Sequence, residues 1–238
     1  RTIPPVPDLL IRQTGVRRCL LDERGIKHYL VFSNMNSRKY QINASRLIMC
    51  GRFLMNEEAL AAVENFVKVP RSIQGQLDLG MIFPSNPSLV IYEDGNDFKA
   101  GIKHFGFLSE KLKKRIINAR AETIEEKWMF KNAFHHQRCV IPCALFYEWN
   151  SAKERISFTE NGHPVMYLAG IWMKDDFVIL TTEANSSMER FHHRMPLILS
   201  KEQSEEWILN YSEASKLLGI IPPALRYHID TPKQATLF

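Results

Sequence analysis

The chain has 238 residues, 45% hydrophobic and 24% charged, enough for one sizeable core and unlike a disordered or fibrous chain. No apolar run approaches the ~20 residues of a membrane span, and no secretory n-region, h-region and cleavage site occur in order. The net charge of +5 invites a nucleic-acid reading, but residues 1–49 carry nine Lys/Arg against three Asp/Glu, so the remainder sums to −1. Any DNA argument therefore rests on individually placed arginines. Four cysteines (Cys19, Cys50, Cys139, Cys143) in a chain of this length need no disulfide framework, which points to a reducing, cytoplasmic setting.

In chain order, "RTIPPVPDLL" is punctuated by proline and "SNMNSRKYQINAS" is polar, and only "HYLVF" between them reads as a strand. Residues 1–49 are accordingly expected to be an N-terminal extension, upstream reading frame or leader, ahead of a start at Met49. Residues 50–238 are expected to form one domain. "EEALAAVENFVKV" has helical spacing and opens on glutamates. "PSLVIYEDGNDFKAGIKHFGF" places two β-rich runs around an Asp-Gly pair, a hairpin signal. "RIINARAET" reads as a strand leading into a helical "IEEKWMFKNAFHH", whose terminal histidines suit a helix end. "RCVIPCALFYEW", "PVMYLAGIWM" and "DDFVILTTEA" are three further strands, and "MERFHHRMPLIL" runs from a turn into another. "SKEQSEEWILN", with its Ser cap, and "SEASKLLGII" are helices, and "ALRYHID" is a closing strand. There is no βαβ alternation, so the expected class is α+β: a mainly antiparallel sheet flanked by several helices.

Four segments place polar residues in otherwise apolar strands, where such groups need partners or a purpose. In "MCGRF", Cys50 would carry a free α-amine if Met49 were removed, and a cysteine with a free amine differs chemically from one inside a chain. In "NARAET", Asn118 and Arg120 are two apart and share a strand face. In "FYEW", Glu148 sits among aromatics that raise a carboxyl's pKa toward acid–base use, with an ion pair to Arg120 as its structural alternative. In "HHRMP", His192 precedes Arg194 by two. Cys139 and Cys143, with three residues between them in an apolar strand and no second pair at finger-like spacing, give no reason to expect a metal.

Together, "MCGRF", "INARAETIEEK", "RCVIPCALFYEW" and "HHRMPLIL", in that order, resemble the SOS-response-associated peptidase family over about residues 49–238. The resemblance implies a monomeric, cofactor-free protein that binds abasic sites in single-stranded DNA and links to them covalently through an N-terminal cysteine, shielding the lesion during the DNA-damage response. Carried over position by position, it implies Cys50, Asn118, Glu148 and His192 as the catalytic set. Arg52, Arg120 and Arg194 hold phosphates, with Trp149 beside them. Localisation would follow the DNA, at the nucleoid. The chain departs from the family pattern at His193, at Leu145 and at the "FGF" of Phe105 to Phe107.

The chemistry of such a cysteine is derivable. An α-amine of reference pKa ~7.7–8.0 is partly unprotonated at neutral pH and attacks the ring-opened sugar aldehyde to give an imine. The thiol then closes on the imine carbon to a five-membered thiazolidine. An internal cysteine has an amide nitrogen and lacks this route. An imine at that carbon also sets up β-elimination, a lyase side reaction. Two other classes use the same residues: an N-terminal-nucleophile peptidase or amidase, including self-cleavage of a leader, and a non-covalent single-strand DNA-binding module.

Overall fold

Alternating apolar positions from Arg52 onward build two β-sheets that share a core. The computed structural model describes residues 16–21, 27–31, 50–77, 79–95, 97–110, 112–150 and 152–230. The chain divides into two units, Arg1–Arg46 and Leu47–Phe238. In the first, β1 (Val16–Leu21) and β2 (Lys27–Val31) form an antiparallel pair. β2 takes in most of "HYLVF"; β1 was missed because its paired arginines interrupt any apolar alternation.

The second unit opens with β3 (Arg52–Met55), α1 (Glu57–Val63), α2 (Arg71–Gln74) and β4 (Gly80–Ile82), then the hairpin of β5 (Pro87–Asp94) and β6 (Asp97–Phe105). Next come β7 (Phe107–Ser109), β8 (Lys114–Ile116), β9 (Asn118–Arg120), a 3₁₀ turn (Ala121–Thr123) and α3 (Trp128–His136). β10 (Arg138–Cys143), β11 (Leu145–Trp149), β12 (Arg155–Glu160), β13 (Met166–Met173) and β14 (Asp176–Glu183) follow. β15 (Arg194–Pro196), β16 (Ile198–Leu199), α4 (Lys201–Leu209), α5 (Tyr211–Leu217) and β17 (Leu225–Asp230) complete it.

The class is α+β and the pairing is mainly antiparallel, as expected. One sheet runs β15-β14-β6-β5-β10-β13-β16, with β9 also on β14. β14 pairs with β13 as well as β6, so β14, β6, β5, β10 and β13 close into a ring. The closure uses a parallel β14–β6 pairing, and β14–β9 is parallel too. The second sheet runs β17-β12-β11-β3-β4. Its inward residues Phe53, Phe146 and Phe158 meet Ile141, Cys143, Leu168 and Ile179 of the first sheet in one buried cluster. A second cluster lies under the helices, where Trp207 donates its indole N–H to Cys139 O (3.0 Å) and Gly170 O (3.2 Å).

Two expectations change. "RCVIPCALFYEW" is two strands: the chain breaks at Ala144 and crosses from the first sheet to the second. Pro142 is tolerated late in β10 because β5 pairs only with Cys139 and Val140, leaving no ladder there that needs a proline N–H. The helix expected from Ile124 starts only at Trp128, since residues 121–127 are spent on a 3₁₀ turn and a further turn closed by Lys127 N–H donating to Thr123 O. The Ser200 cap behaves as read, forming a capping box with Gln203, and Asn56, which the sequence reading did not single out, caps α1 by accepting from Ala59 N–H. Among the described residues no helix is long and apolar enough to cross a membrane.

Candidate active site

β3 and β11 deliver the first two groups. Arg52 pairs with Tyr147 and Phe53 with Phe146, so the segment before Arg52 runs beside the end of β11. In a regular strand Cys50 and Arg52 would share a face. Cys50 instead sits in a bend with φ 46°, in the left-handed region, and its side chain enters the cluster between the sheets. Its nitrogen, here the peptide nitrogen of the Met49–Cys50 bond, donates to Glu148 Oε1 at 2.5 Å. Glu148 is 5% exposed, on the inner face of β11 with Phe146.

Burial pushes the Glu148 carboxyl up to about 7, against the Cys50 and Trp149 backbone N–H groups that pull it down. The Cys50 thiol is driven well above its usual value, first by burial, then by the charges of Glu148 and Cys143. Near pH 7 the pair is therefore a protonated thiol beside a carboxyl that exchanges protons readily. Glu148 takes the Cys50 nitrogen, and among the described residues no ion pair joins it to Arg120.

β9 and β15 bring the remaining groups to the two edges of β14: Thr181 is opposite Arg120 on one side and Pro196 on the other. Asn118 stands opposite Ile179, and its Nδ2 is buried with no hydrogen-bond partner among the described residues. A buried amide donor without an acceptor is costly, and is a ready donor to a ligand oxygen.

His192 Nδ1 lies 3.0 Å from the backbone N–H of Arg194 and 3.3 Å from its carbonyl. The amide can only donate and is the closer group, so Nδ1 accepts and the neutral ring carries its proton on Nε2. His192 is half-buried, while His193 is exposed and stacked on it at 4.5 Å, so His192 is the inward member of the pair.

The arginines differ. Arg120 is exposed at the end of β9. Arg52 is sandwiched between Phe83 (4.8 Å) and Trp149 (4.6 Å), making Arg52 and Trp149 one cation–π stack. Arg194 is 9% exposed and grips Glu122 with both ends of its fork, Nη1 to Oε1 at 2.6 Å and Nη2 to Oε2 at 2.7 Å. Nη2 also donates to Thr181 O at 2.5 Å, while Nε is buried without a partner among the described residues.

Burial opposes the Glu122 charge, but the Arg194 hydrogen bonds, its own backbone amide and the charges of Arg194 and Arg120 hold its carboxyl below the usual range. Glu122 thus ties β9 to β15 across β14. Sequence reasoning missed it, because its partner lies 72 positions away and nothing local marks the pair.

Cys50 and Glu148 are in direct contact. Ile117, next to Asn118 in sequence, packs against the same cluster, and Met195, three residues beyond His192, belongs to it. Cys139 and Cys143 are buried thiols raised by burial. Among the described residues no three His, Cys, Asp or Glu side chains gather as metal ligands.

The profile of the family described as SOS response associated peptidase (SRAP) matches residues 49–230. The chain is 31% identical over 179 residues to the abasic site processing protein YoqW of Bacillus subtilis, covering 67% of this chain and 80% of that one. It is 28% identical over 124 residues to the abasic site processing protein YedK of Escherichia coli, covering 45% and 55% of the two chains. A crystal structure of a Bacteroides thetaiotaomicron protein superposes with a TM-score of 0.65 at 23% identity, over 76% of this chain and 91% of the other.

Proposed function

The chain belongs to the SOS response associated peptidase family, and on that premise we propose that it processes abasic sites in single-stranded DNA by joining to them covalently through Cys50, once the residues before Cys50 are gone. The observation that carries this reading is the 2.5 Å contact between the Cys50 nitrogen and the buried Glu148 carboxylate. A free α-amine in that place, with a reference pKa of ~7.7–8.0, meets a carboxyl of about 7. The two share a proton as one coupled pair, and the unprotonated amine is generated where it is needed.

The amine attacks the aldehyde carbon of the opened sugar, and Glu148 takes the proton that nitrogen loses. It passes that proton to the former aldehyde oxygen, giving a hydroxyl, and then moves the second nitrogen proton to this hydroxyl, which leaves as water as the C=N bond of the imine forms. The thiol then adds across the C=N bond: sulfur joins carbon, the thiol proton passes to nitrogen, and a thiazolidine results. Because the thiol is held protonated, the amine acts first, and the same raised pKa works against a thiolate peptidase as the main role.

His192, with its proton on Nε2, serves sugar ring opening as an acid. The Asn118 amide donates to the sugar or orients Cys50. Arg120 and the Arg52–Trp149 stack take the flanking phosphates and a base, and Arg194, locked to Glu122, offers Nε. β-Elimination from the imine gives a weak lyase activity, and attack by the Cys50 thiol on the Met49 carbonyl shifts the leader from nitrogen to sulfur, after which water hydrolyses the thioester and releases it. The protein acts as a monomer, beside DNA.

The test uses protein whose N-terminus is verified by mass to be Cys50. A uracil-containing oligonucleotide is treated with a glycosylase, incubated with the protein and run on a denaturing gel. A shifted, heat-stable band is expected, and its absence overturns the reading.

A further inference from the structure

We propose that the outer face of α3 is a second contact surface for single-stranded DNA, with Trp128 as a stacking platform for a base and Lys127 and Lys131 as phosphate grips. The identity of the strand rests on the proposed function; the surface itself does not.

α3 buries Phe130, Ala133 and Phe134 on its inner side. Trp128, Lys131, Asn132 and His135, spaced at three, four and seven residues, fall together on the opposite side. Trp128 is 85% exposed, although an indole is among the largest apolar groups a fold can bury. With Lys131, Asn132, His135 and His136 it lines a hollow of about 280 Å³, just below the size range of sites for drug-like molecules and suited to one planar group.

The hollow is backed by Tyr211, whose ring lies 4.6 Å from that of His135. The neighbouring carboxylate of Glu125 is engaged by the hydroxyls of Tyr211 (3.2 Å) and Ser215 (3.0 Å). Glu126, exposed just before the helix, is outweighed by Lys127 and Lys131. An exposed indole ringed by cations and an amide is the combination that holds unpaired bases: the ring stacks on any base and the cations take the phosphates. A folded protein partner would be expected to meet a broader apolar patch than one indole.

The location fits a strand leaving the candidate active site. Trp128 is eight residues beyond Arg120, a reach of at most about 29 Å fully extended. The turns at Ile124 and Lys127 shorten it. DNA passing Arg120 therefore reaches α3 within a few nucleotides.

The test is a titration of the full chain with thymidine oligonucleotides of 4 and 20 residues lacking any abasic site, read by tryptophan fluorescence and anisotropy. Both oligonucleotides are expected to quench Trp149 in the candidate active site, and the 20-mer to quench further; that additional quenching is expected to disappear in Trp128→Phe, which keeps a stacking ring but removes the indole. Trp128→Ala is expected to weaken 20-mer binding by between about fivefold and a hundredfold, the worth of one stacked base, and to leave 4-mer binding unchanged. Lys127→Ala and Lys131→Ala each flatten the salt dependence by about 0.7.

Because Trp128 is so exposed, its replacement spares the core, and circular dichroism verifies this. Equal 20-mer affinity in Trp128→Ala and the parent, or quenching unaltered by Trp128→Phe, overturns the proposal. If no abasic crosslink forms yet the 20-mer effects appear, the proposed function fails and this surface stands. If crosslinks form and the 20-mer effects are missing, the reverse holds.

Discussion

Replacing Glu148 by glutamine separates the chemistry of the site from its cost to the fold. The carboxyl titrates near 7 instead of near 4.5, chiefly because burial penalises its charge. A raised value means that the folded chain holds the proton more tightly than the unfolded one. That contribution is complete below pH ~4.5 and is lost as pH rises through 7. A shift of about 2.5 units at about 1.36 kcal/mol each comes to ~3 kcal/mol, the cost of keeping an ionised Glu148 in place at alkaline pH.

The amide has no charge to bury. In the chain that retains Met49, Glu148→Gln should therefore gain up to about 3 kcal/mol on the parent between pH 5 and pH 8.5, measured by urea unfolding followed by circular dichroism. In the chain that begins at Cys50, the same change removes the proton acceptor 2.5 Å from the nitrogen. General acid–base catalysis is worth roughly 10²–10⁴-fold, so single-turnover capture should slow by about a hundredfold or more and lose its rise between pH 6 and 8. A parent-to-variant stability difference that is equal at both pH values, or capture at the parental rate, refutes the reasoning.

Cys50→Ala keeps an α-amine but no thiol, so it should give only an imine, seen on a denaturing gel after borohydride reduction and absent without it. Arg120→Ala, at an exposed site, should flatten the salt dependence of DNA binding by about 0.7 without altering stability, whereas an unchanged slope denies it a phosphate. Glu122→Ala strips Arg194 of both fork contacts and should lower unfolding free energy by about 1.5–3 kcal/mol and slow capture as well; Glu122→Gln should recover part of both, and loss of stability alone would limit Glu122 to the fold. Gly170→Ala places a methyl against the Ile141 side chain and 3.0 Å from Val178 O, and should cost about 1–3 kcal/mol in a denaturant melt.

The local elements were legible where their signals are local: the Asp-Gly hairpin and the Ser200 cap read correctly. The break at Ala144 was not, because "RCVIPCALFYEW" is apolar on both sides of it and only the partner strands show that the chain changes sheets. Ring closure through parallel β14–β6 pairing has no sequence signature, since it joins strands as far apart in the chain as Phe105 and Phe177. In the site, Cys50 and Glu148 stood out as polar groups in apolar strands, although they are 98 positions apart and their contact depends on the bend at Cys50. Glu122 did not stand out, since an acid in an exposed turn is ordinary until its buried partner is known. The exposure of Trp128 had no sequence signal either, since nothing local distinguishes an outward indole; the late helix start places it in the first turn, facing outward.

The left-handed bend at Cys50 also gives the chain a thermodynamic direction. A φ angle exists only while a carbonyl precedes the nitrogen. With residue 49 attached, a residue bearing a Cβ is held at 46°, a conformation that costs an L-amino acid about 1–2 kcal/mol. If that bond is cut the angle ceases to exist and the strain is released, while the β3–β11 pairing starts only at Arg52, beyond the cut. Trimming is then downhill for the fold whichever agent performs it, and resealing the bond would have to restore the strain. Under the proposed chemistry the bend works as a ratchet, holding Cys50 in a posture that suits the first residue of a chain better than an internal one.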